Sequence, residues 1–436
     1  MNEFLRQSLD RTLLLMRDEL RDDVDESVLI DALTETEVVL AGDAENLSSH
    51  AAQCAFVTAA LLMARSGHQV TMVAPDVRLV GEQAPLKSGT LIASLLEIGR
   101  DLLPGIEFSV IASTRAVDLC VVYGDTRACI PARRTIGLNA SRWSAYLHSR
   151  CPASRWDERV WPYGSLAAGA LAAGEAFKAS MHKIRRFARA PQHFDDVFAF
   201  SEDLRFDLAP PHAPMTSELD SFDFVSGGAI VNAALYCLSR IPRVTGAARV
   251  IEDTTSDYSN LNRYALLRRS QVFNGKVDTL RSIELGDLTL QPVPVRYDER
   301  SASQLAPLAP RVLVGVDHIP TRWFVQRMQP RWLGIGATTH WSAMTSYHER
   351  DLACGWCLHP RDDAANTLIP TVAFVSFWSG LLLASQFVRS AAGEILLPRE
   401  QHAYLTPFRP ESIWRAPVAP RPDCPLCGQL GGTRAA

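Results

Sequence analysis

The sequence lacks an excess of positive charge, and it lacks an apolar run long enough to cross a membrane. Its 436 residues carry a formal net charge of −4, so no basic field favours nucleic acid or an anionic membrane surface as a partner. The most apolar stretch, residues 372–388, contains Ser, Gly and Gln and is shorter than the ~20 residues that a membrane helix needs. We therefore predict a buried helix there, and neither nucleic acid nor membrane as a partner.

We also expect no targeting segment, because residues 1–23 are acidic and amphipathic, unlike a signal or transit peptide. In a cytoplasmic chain, we expect the nine cysteines to be free thiols or metal ligands rather than disulfides. Hydrophobic residues make up 47% of the chain, which suffices for large buried cores. The composition predicts a cytoplasmic globular protein.

Each half of the sequence contains the same order of strand and helix patterns. Apolar segments at residues 37–43 and 69–76 flank an Ala- and Leu-rich helical pattern, and segments at 222–228 and 247–253 flank another. Strand, helix and strand in this order form a βαβ unit of a parallel sheet. We predict an α/β fold with two Rossmann-like parallel-sheet domains in pseudo-symmetric tandem.

A Pro-rich, polar segment at residues 203–221 marks the seam between the domains, which we place at residues 1–205 and 206–436. In open parallel sheets, ligands gather at the carboxyl ends of the strands. A single acid at such a point is typical of a helix cap, but three in one half favour a site. The acids that follow predicted strands are Asp43, Asp76, Asp125, Glu252, Asp253 and Asp317.

The second half lacks the full G-x-G-x-x-G fingerprint, since its strand-to-helix turn offers only Gly227 and Gly228. Such a turn lets a phosphate approach backbone amides at the start of a helix. Glu252 ends the next predicted strand, where an acid binds the ribose hydroxyls of a nucleotide. These residues alone leave a dehydrogenase and an adenylating enzyme equally open.

Two cations follow that acid in the chain. Arg263 ends the segment SNLNR, and Lys276 lies 13 residues further along the chain. Arg263 can give bidentate hydrogen bonds to phosphate, and Asn260 and Asn262 can add neutral donors. With Asp317 at a third strand end, these residues suit a triphosphate and its magnesium ion, which hydride transfer does not require. The second half therefore predicts a site for ATP and Mg2+.

Two C-x-x-C pairs lie in the last quarter of the chain, Cys354 with Cys357 and Cys424 with Cys427. Four thiolates from two such pairs bind one zinc ion tetrahedrally and form a closed structural site. Because two such pairs in one chain supply all four ligands of a zinc ion, we predict Zn2+ in preference to a redox dithiol. Such a site would tie the Pro-rich tail to the second domain.

In order and spacing, these features resemble the adenylating, ThiF-like domain of ubiquitin-activating enzymes and of the bacterial enzymes that activate sulfur-carrier proteins. SNLNR is nearly the signature of that family, whereas the glycine turn departs from its glycine-rich form and Asp253-Thr254 from its D-x-D form. The resemblance covers about residues 222–428. It implies an enzyme that adenylates the C-terminal carboxylate of a ubiquitin-like or sulfur-carrier protein, usually one that ends in glycine.

The resemblance also implies roles for individual residues. Glu252 would bind the ribose, and Asp317 would bind Mg2+. Arg322 matches the arginine of the family's D-x-x-x-x-R, although His318 replaces its usual asparagine. The residues that would contact phosphates are Asn260, Arg263 and Lys276.

The first half resembles an inactive copy of the same domain, because it has no SNLNR and no convincing lysine after the corresponding strand. We therefore expect an inactive domain at residues 1–205 and an active one at residues 206–436. In this family an arginine near the N-terminus of one copy reaches the ATP of the other. Arg11 is the residue that we expect in that role, with Arg6 as the alternative.

A second chemical step stays open at this point. The loop at residues 359–372, where ubiquitin-activating enzymes carry a thioester cysteine, has none. Three expectations stay open: the reaction stops at the adenylate, the activated carboxylate passes to a conjugating enzyme or sulfur donor, or one of the four zinc-type cysteines also acts as the nucleophile. A nucleotide-binding pseudoenzyme or scaffold is the alternative to an enzyme. High Ala and Arg usage fits a bacterial source, and the resemblance associates bacterial proteins of this kind with antiviral defence.

Overall fold

The computed structural model describes residues 3–21, 23–87, 89–110, 115–124, 130–149, 155–361 and 368–427. The strands of the first half are β1 (Glu37–Gly42), β2 (Gln69–Val73), β3 (Phe108–Ser109), β4 (Val117–Tyr123), β5 (Ala132–Ser141), β6 (Ser144–His148) and β7 (Leu204–Asp207). Its helices are α1 (Glu3–Glu19), α2 (Glu26–Thr34), α3 (Ala44–Leu47), α4 (His50–Arg65), α5 (Leu91–Gly99), α6 (Tyr163–Lys183) and α7 (Pro191–Val197).

The second half is built in the same way. Its strands are β8 (Glu218–Val225), β9 (Thr245–Ile251), β10 (Asp287–Val293), β11 (Arg311–Val314), β12 (Trp332–Thr339), β13 (Ser342–Glu349), β14 (His402–Leu405) and β15 (Trp414–Ala416). Its helices are α8 (Ala229–Ser239), α9 (Lys276–Arg281), α10 (Glu299–Leu305), α11 (Ile319–Arg327), α12 (Gly355–Leu358) and α13 (Ala373–Ala391).

The two sheets share one strand order. The first runs β3-β2-β1-β4-β5-β6-β7 and the second runs β10-β9-β8-β11-β12-β13-β14-β15. In each sheet the first five strands of that order pair in parallel and the remaining strands pair antiparallel. The predicted α/β fold with two tandem Rossmann-like sheets is confirmed. The antiparallel strands were not predicted.

The predicted domain boundary between residues 205 and 206 falls within β7, which pairs with β6 in the first sheet. The boundary stays a prediction. The predicted linker at residues 203–221 begins and ends in strands, β7 and the start of β8. The polar, Pro-rich composition of this segment hid those strands.

Long buried helices join the two halves. Helix α6 packs on α4, α13 packs on α8, and α6 packs on α13. Glycines allow the close approach of α6 to α4 and of α13 to α8. A Cβ at Gly169 of α6 would lie 2.6 Å from the Ala55 carbonyl oxygen, and one at Gly380 of α13 would lie 2.4 Å from the Ala233 Cβ. Residues 372–388 fall almost entirely within α13, whose buried residues confirm the predicted buried helix. No helix among the described residues is long and apolar enough to span a membrane.

The strands end before the acids that follow them in the sequence. Strand β2 ends at Val73, and Asp76 instead accepts a hydrogen bond of 2.8 Å from the Ile92 amide at the start of α5. Asp43 caps α3 by accepting a 2.8 Å hydrogen bond from the Asn46 amide. Both acids of the first half are thus helix caps. Asp125 lies outside the described residues.

Candidate functional site

A cavity of about 340 Å³ lies at the carboxyl edge of the second sheet. Strands β9, β8 and β11 are neighbours and run parallel, so the segments that follow them open at the same edge. The predicted site residues that line the cavity are Arg11, Gly228, Glu252, Arg263, Lys276 and Asp317. The structure therefore brings most of the predicted residues together.

The glycine turn joins β8 to α8. Ser226 has a φ of +120°, and Gly228 is the N-cap residue of α8. A Cβ at Gly227 would lie 3.0 Å from the Lys276 Cβ, so a glycine lets the turn approach α9. The Gly227 amide donates a 3.0 Å hydrogen bond to Glu252 Oε2, and the Gly228 amide donates one of 2.9 Å to Ser226 Oγ.

Glu252 is held as a carboxylate beside the cavity. Its Oε1 accepts hydrogen bonds from the Thr254 amide (3.0 Å) and from Thr254 Oγ1 (2.7 Å). Burial by itself would raise the pKa of Glu252, but the charge of Lys276 and the hydrogen bonds from Gly227 and Thr254 outweigh it and lower the pKa. The acid is therefore charged and oriented at neutral pH.

The SNLNR segment begins as a capped turn. Tyr258–Asn260 form one turn of 3₁₀ helix, and Asn260 Oδ1 accepts a 3.1 Å hydrogen bond from the Asp257 amide. The Asn262 amide nitrogen Nδ2 donates a 3.0 Å hydrogen bond to Thr12 Oγ1 of α1. The two asparagines thus shape the loop, and Asn260 is not among the described residues that line the cavity.

Arg263 and Lys276 both lie near one aromatic ring. The Arg263 Cζ is 5.7 Å and the Lys276 Nζ is 5.8 Å from the centroid of Tyr264, within the range of cation–π attraction. Burial lowers the pKa of Arg263, yet arginine stays charged in proteins. Tyr264, which also lines the cavity, was not predicted, and no pattern in the sequence marked it.

Arg11 reaches this cavity from the first half. It lies on α1, its side chain is 15% exposed, and its Nη1 donates a 3.3 Å hydrogen bond to the Ile369 carbonyl oxygen. Arg6, the alternative, instead pairs with Glu26 of α2, with 2.5 Å between Nε and Oε1. Of the two arginines, only Arg11 lines the cavity.

Asp317 and Arg322 have different surroundings. Asp317 is exposed at the cavity after β11. Arg322 is 5% exposed and donates to the Val316 carbonyl oxygen from Nε (3.1 Å) and Nη2 (2.8 Å). Burial lowers the pKa of Arg322 to about 10. Arg322 is not among the described cavity residues, and it holds the backbone next to Asp317.

Sequence reasoning missed several other residues that line the cavity. They come from the loop after β10, from the end of β12, from the segment before α13 and from the first turn of α13, and no local pattern identified them. They include Arg296, Tyr297, Thr338, Thr371 and Ser376.

The four predicted zinc ligands converge. The sulfur atoms of Cys354, Cys357, Cys424 and Cys427 all lie within 4.8 Å of one another. The distances between neighbours are 3.8 Å for Cys354–Cys357, 3.4 Å for Cys354–Cys424 and 3.6 Å for Cys357–Cys427. Four sulfurs bound to one zinc ion at ~2.3 Å lie about 3.8 Å apart. The cluster therefore fits a tetrahedral thiolate site for zinc.

The remaining cysteines offer no exposed thiol among the described residues. Cys54, Cys120 and Cys237 are buried. Cys129, Cys151 and residues 362–367 of the loop that lacks a cysteine lie outside the described residues.

At the corresponding edge of the first sheet, polar side chains lie close to Gly124. A Cβ at Gly124, which follows β4, would lie 2.0 Å from Asn46 Nδ2 and 2.2 Å from Asp43 Oδ2. Asn46 is 4% exposed, and its Oδ1 accepts a 2.7 Å hydrogen bond from the Trp156 amide. The short helix α3, inserted between β1 and α4, thus occupies the place where the second half has its glycine turn.

Comparison with known proteins gives one family match and one curated relative. The model of the BilD N-terminal domain matches residues 37–192. The protein y4jF of Sinorhizobium fredii NGR234 is 25% identical over 251 residues, which cover 57% of this chain and 48% of that protein. The chain thus spans about half the length of the curated relative that it matches.

Solved structures with detectable likeness include Escherichia coli MccB with ATP, which is 12% identical, covers 67% of this chain and 97% of that chain, and has a TM-score of 0.40. The microcin C7 biosynthetic enzyme MccB in complex with N-formylated MccA is 13% identical, covers 67% and 98%, and has a TM-score of 0.41. PaaA is 13% identical over 46% and 64%, with a TM-score of 0.36. Scores this low establish neither a shared fold nor a shared activity.

The description of the fold and of the candidate site therefore rests on the strand order and the side-chain geometry of this chain. The protein is a tandem of two α/β sheets, of which the second has a charged cavity at its carboxyl edge and a four-cysteine cluster near its C-terminus.

Proposed function

We propose that this chain binds ATP with Mg2+ in the cavity of its second half and adenylates the C-terminal carboxylate of a partner protein. One observation carries the proposal: three of the predicted cations and two of the predicted acids, from five separate segments, converge on a single cavity. These residues are Arg11, Arg263, Lys276, Glu252 and Asp317.

The reaction needs charge neutralisation more than proton transfer. A carboxylate oxygen of the substrate attacks the α-phosphorus of ATP, the bond from that phosphorus to the bridging oxygen of the β-phosphate breaks, and pyrophosphate leaves. Because a carboxylate is already deprotonated at neutral pH, no general base is required. Arg11, Arg263 and Lys276 neutralise the phosphate charge and hold the reacting groups in line.

The remaining site residues position the nucleotide. Glu252 is placed to accept from the ribose hydroxyls, and the start of α8 at Gly228 favours a phosphate. Asp317 would hold Mg2+, which neutralises phosphate charge when it is bound. Gly227, Asn260 and Arg322 act through the backbone that they shape, since each makes contacts within the protein.

The substrate that we propose is a ubiquitin-like or sulfur-carrier protein with a C-terminal glycine, by resemblance of the SNLNR and Lys276 segments to the family named above. Transfer of the activated carboxylate to a conjugating enzyme remains part of this proposal, as do a cytoplasmic location and a role in antiviral defence.

We further propose that only the second half is active. Asp43 and Asn46 lie close to Gly124 at the corresponding edge of the first sheet, which supports an inactive first half. On this proposal, residues 1–205 are the inactive domain and residues 206–436 the active one, and the first half contributes Arg11 to the shared site.

Zinc would be held by Cys354, Cys357, Cys424 and Cys427. Bound zinc supplies a structural cross-link there and takes no part in the reaction. The cluster joins α12 to the segment after β15, which is the tail that the sequence predicts to be tied down.

The test is exchange of radiolabelled pyrophosphate into ATP, measured with a bacterial ubiquitin-like protein that ends in glycine. We expect exchange by the wild-type protein, none without the partner, and none with Asp317→Ala or Arg263→Ala. Normal exchange in either variant would contradict the assignment. Tight ATP binding with no exchange for any such partner would favour the nucleotide-binding scaffold instead.

A further inference from the structure

Two arginines, one in each half of the chain, each form hydrogen bonds with a segment of the other half. Arg65 is the last residue of α4, and Arg240 directly follows the last residue of α8. These helices occupy equivalent places, because each follows the strand that lies third in the order of its sheet, β1 or β8. Both side chains are fully buried, with 0% exposure.

Each arginine donates to the crossover of the other half. Arg65 of the first half donates from Nη1 to the Leu261 carbonyl oxygen (2.6 Å), and from Nη2 to those of Ala265 (3.2 Å) and Leu267 (2.6 Å). Arg240 of the second half donates to the carbonyl oxygens of Glu82 (3.1 Å) and Ala84 (2.5 Å). The acceptors lie in the segments that follow β9 and β2, which are equivalent strands.

The two crossovers differ in what they carry. The segment that Arg65 holds includes Arg263, and the three acceptors of Arg65 lie on both sides of that residue in the chain. The segment that Arg240 holds also lines a cavity, of about 280 Å³, whose charged residues are Glu82, Lys87, Arg268 and Glu284. Of the two segments, the one that Arg65 holds lines the cavity at the carboxyl edge of the second sheet, where the predicted ATP residues converge.

A buried guanidinium is costly unless its donors are satisfied. No ion pair among the described residues includes Arg65, and its Nε has no hydrogen-bond partner among them. Three carbonyl oxygens are thus what Arg65 contacts. A lysine has one nitrogen and cannot reproduce the two-nitrogen fork that contacts them.

We propose that Arg65, a residue of the first half, positions Arg263 for the phosphates of ATP. This inference rests on the proposed function. It gives the first half a second role in the site besides Arg11, through backbone that Arg65 fixes rather than through contact with the nucleotide.

The experiment compares Arg65→Lys with Arg240→Lys, its matched control, by titration of ATP in the full chain. We expect the dissociation constant for ATP to rise about tenfold or more in R65K, because the loss of a hydrogen bond made by a charged group changes an equilibrium constant by about that factor. We expect R240K to keep the wild-type value. Denaturant unfolding of both variants reports any general loss of stability.

A double variant separates positioning from simple damage. If Arg65 acts through Arg263, then R65K combined with Arg263→Ala should bind ATP no more weakly than Arg263→Ala alone. A further loss in the double variant, equal losses in R65K and R240K, or wild-type binding by R65K would each overturn the inference. Absence of ATP binding by the wild-type protein would instead overturn the proposed function, and this inference with it.

A measurement on the wild-type protein keeps the inference falsifiable if R65K does not fold. Addition of ATP should slow amide hydrogen exchange at residues 261–267 and leave residues 82–84 unchanged. Equal slowing in both segments, or none at residues 261–267, would contradict a positioning role that is confined to one crossover.

Discussion

Asn262 donates a 3.0 Å hydrogen bond from Nδ2 to Thr12 Oγ1, and both side chains are fully buried. The contact joins α1 to the SNLNR segment, and the neighbours of the two residues, Arg11 and Arg263, both line the cavity. One hydrogen bond thus links the segments that carry two arginines lying far apart in the chain.

Breaking that contact should weaken the site and the fold together. Thr12→Val leaves the Asn262 amide buried without this acceptor, and we expect a loss of about 1–3 kcal/mol in the free energy of unfolding together with weaker ATP binding. Denaturant unfolding and ATP titration measure the two effects. Thr34→Val in α2 is the control, because its hydroxyl donates only to the Ile30 carbonyl within the helix. Equal ATP affinity in both variants would contradict a link between Thr12 and the site.

Arg11→Ala and Arg6→Ala test which N-terminal arginine serves the second half. Removing one preorganised cation from a charged transition state costs on the order of 100-fold in rate, so we expect that loss in pyrophosphate exchange for R11A. Arg6 pairs with Glu26 away from the cavity, and R6A should keep near wild-type exchange. The reverse pattern would show that Arg6 is the residue in contact with ATP.

Metal content tests the cysteine cluster. We expect one zinc ion per chain in the wild-type protein and much less in Cys424→Ser, because a structural site needs all four thiolates. Cys237→Ser, which changes a buried cysteine of α8, should keep its zinc. Elemental analysis of the purified variants decides the matter, and full zinc content in Cys424→Ser would show that the cluster is not the metal site.

Acid should destabilise the protein through His68. This ring is fully buried and bonds through Nδ1 to the Leu33 carbonyl oxygen at 3.1 Å, and burial lowers its pKa to about 4. The unfolded chain takes up the proton near pH 6.5 and the folded chain does not, so stability is present above pH 6.5 and is lost as the pH falls from 6.5 towards 4.

The loss due to His68 is about 1.4 kcal/mol for each pH unit of that window. His68→Gln, which has no titrating group, should show a correspondingly smaller slope of unfolding free energy against pH. The control is His340→Gln, since the His340 side chain is 66% exposed. An unchanged slope in H68Q would mean that His68 is protonated in the folded protein.

Much of the fold was predictable because it depends on local patterns. The apolar segments around β1, β2, β8 and β9 and the helical patterns between them define βαβ units, and two units in a row define two parallel sheets. The antiparallel strands β6, β7 and β13 to β15 were missed, because their pairing is decided by distant partners rather than by their own periodicity.

The candidate site was predictable where residue type alone restricts the chemistry. Arg263, Lys276, Glu252 and Asp317 follow strand patterns, and parallel strands bring their carboxyl ends to one edge. Asn260 and Arg322, which were also predicted to bind the nucleotide, make hydrogen bonds with backbone groups in the structure, and their contact with ATP stays a prediction. Whether a polar side chain turns toward a ligand or toward a loop depends on neighbours that the sequence does not reveal.

By itself, the sequence determined the two sheets, the charged residue types at their edges and the paired cysteines, since spacing and periodicity act over a few turns of chain. Only the tertiary structure decided that α1 places Arg11 at the cavity, that Asn46 of α3 lies against Gly124, and that Arg65 holds the loop around Arg263. Those contacts join residues far apart in the chain, and they form only when buried helices bring the halves together and burial requires every donor to find an acceptor.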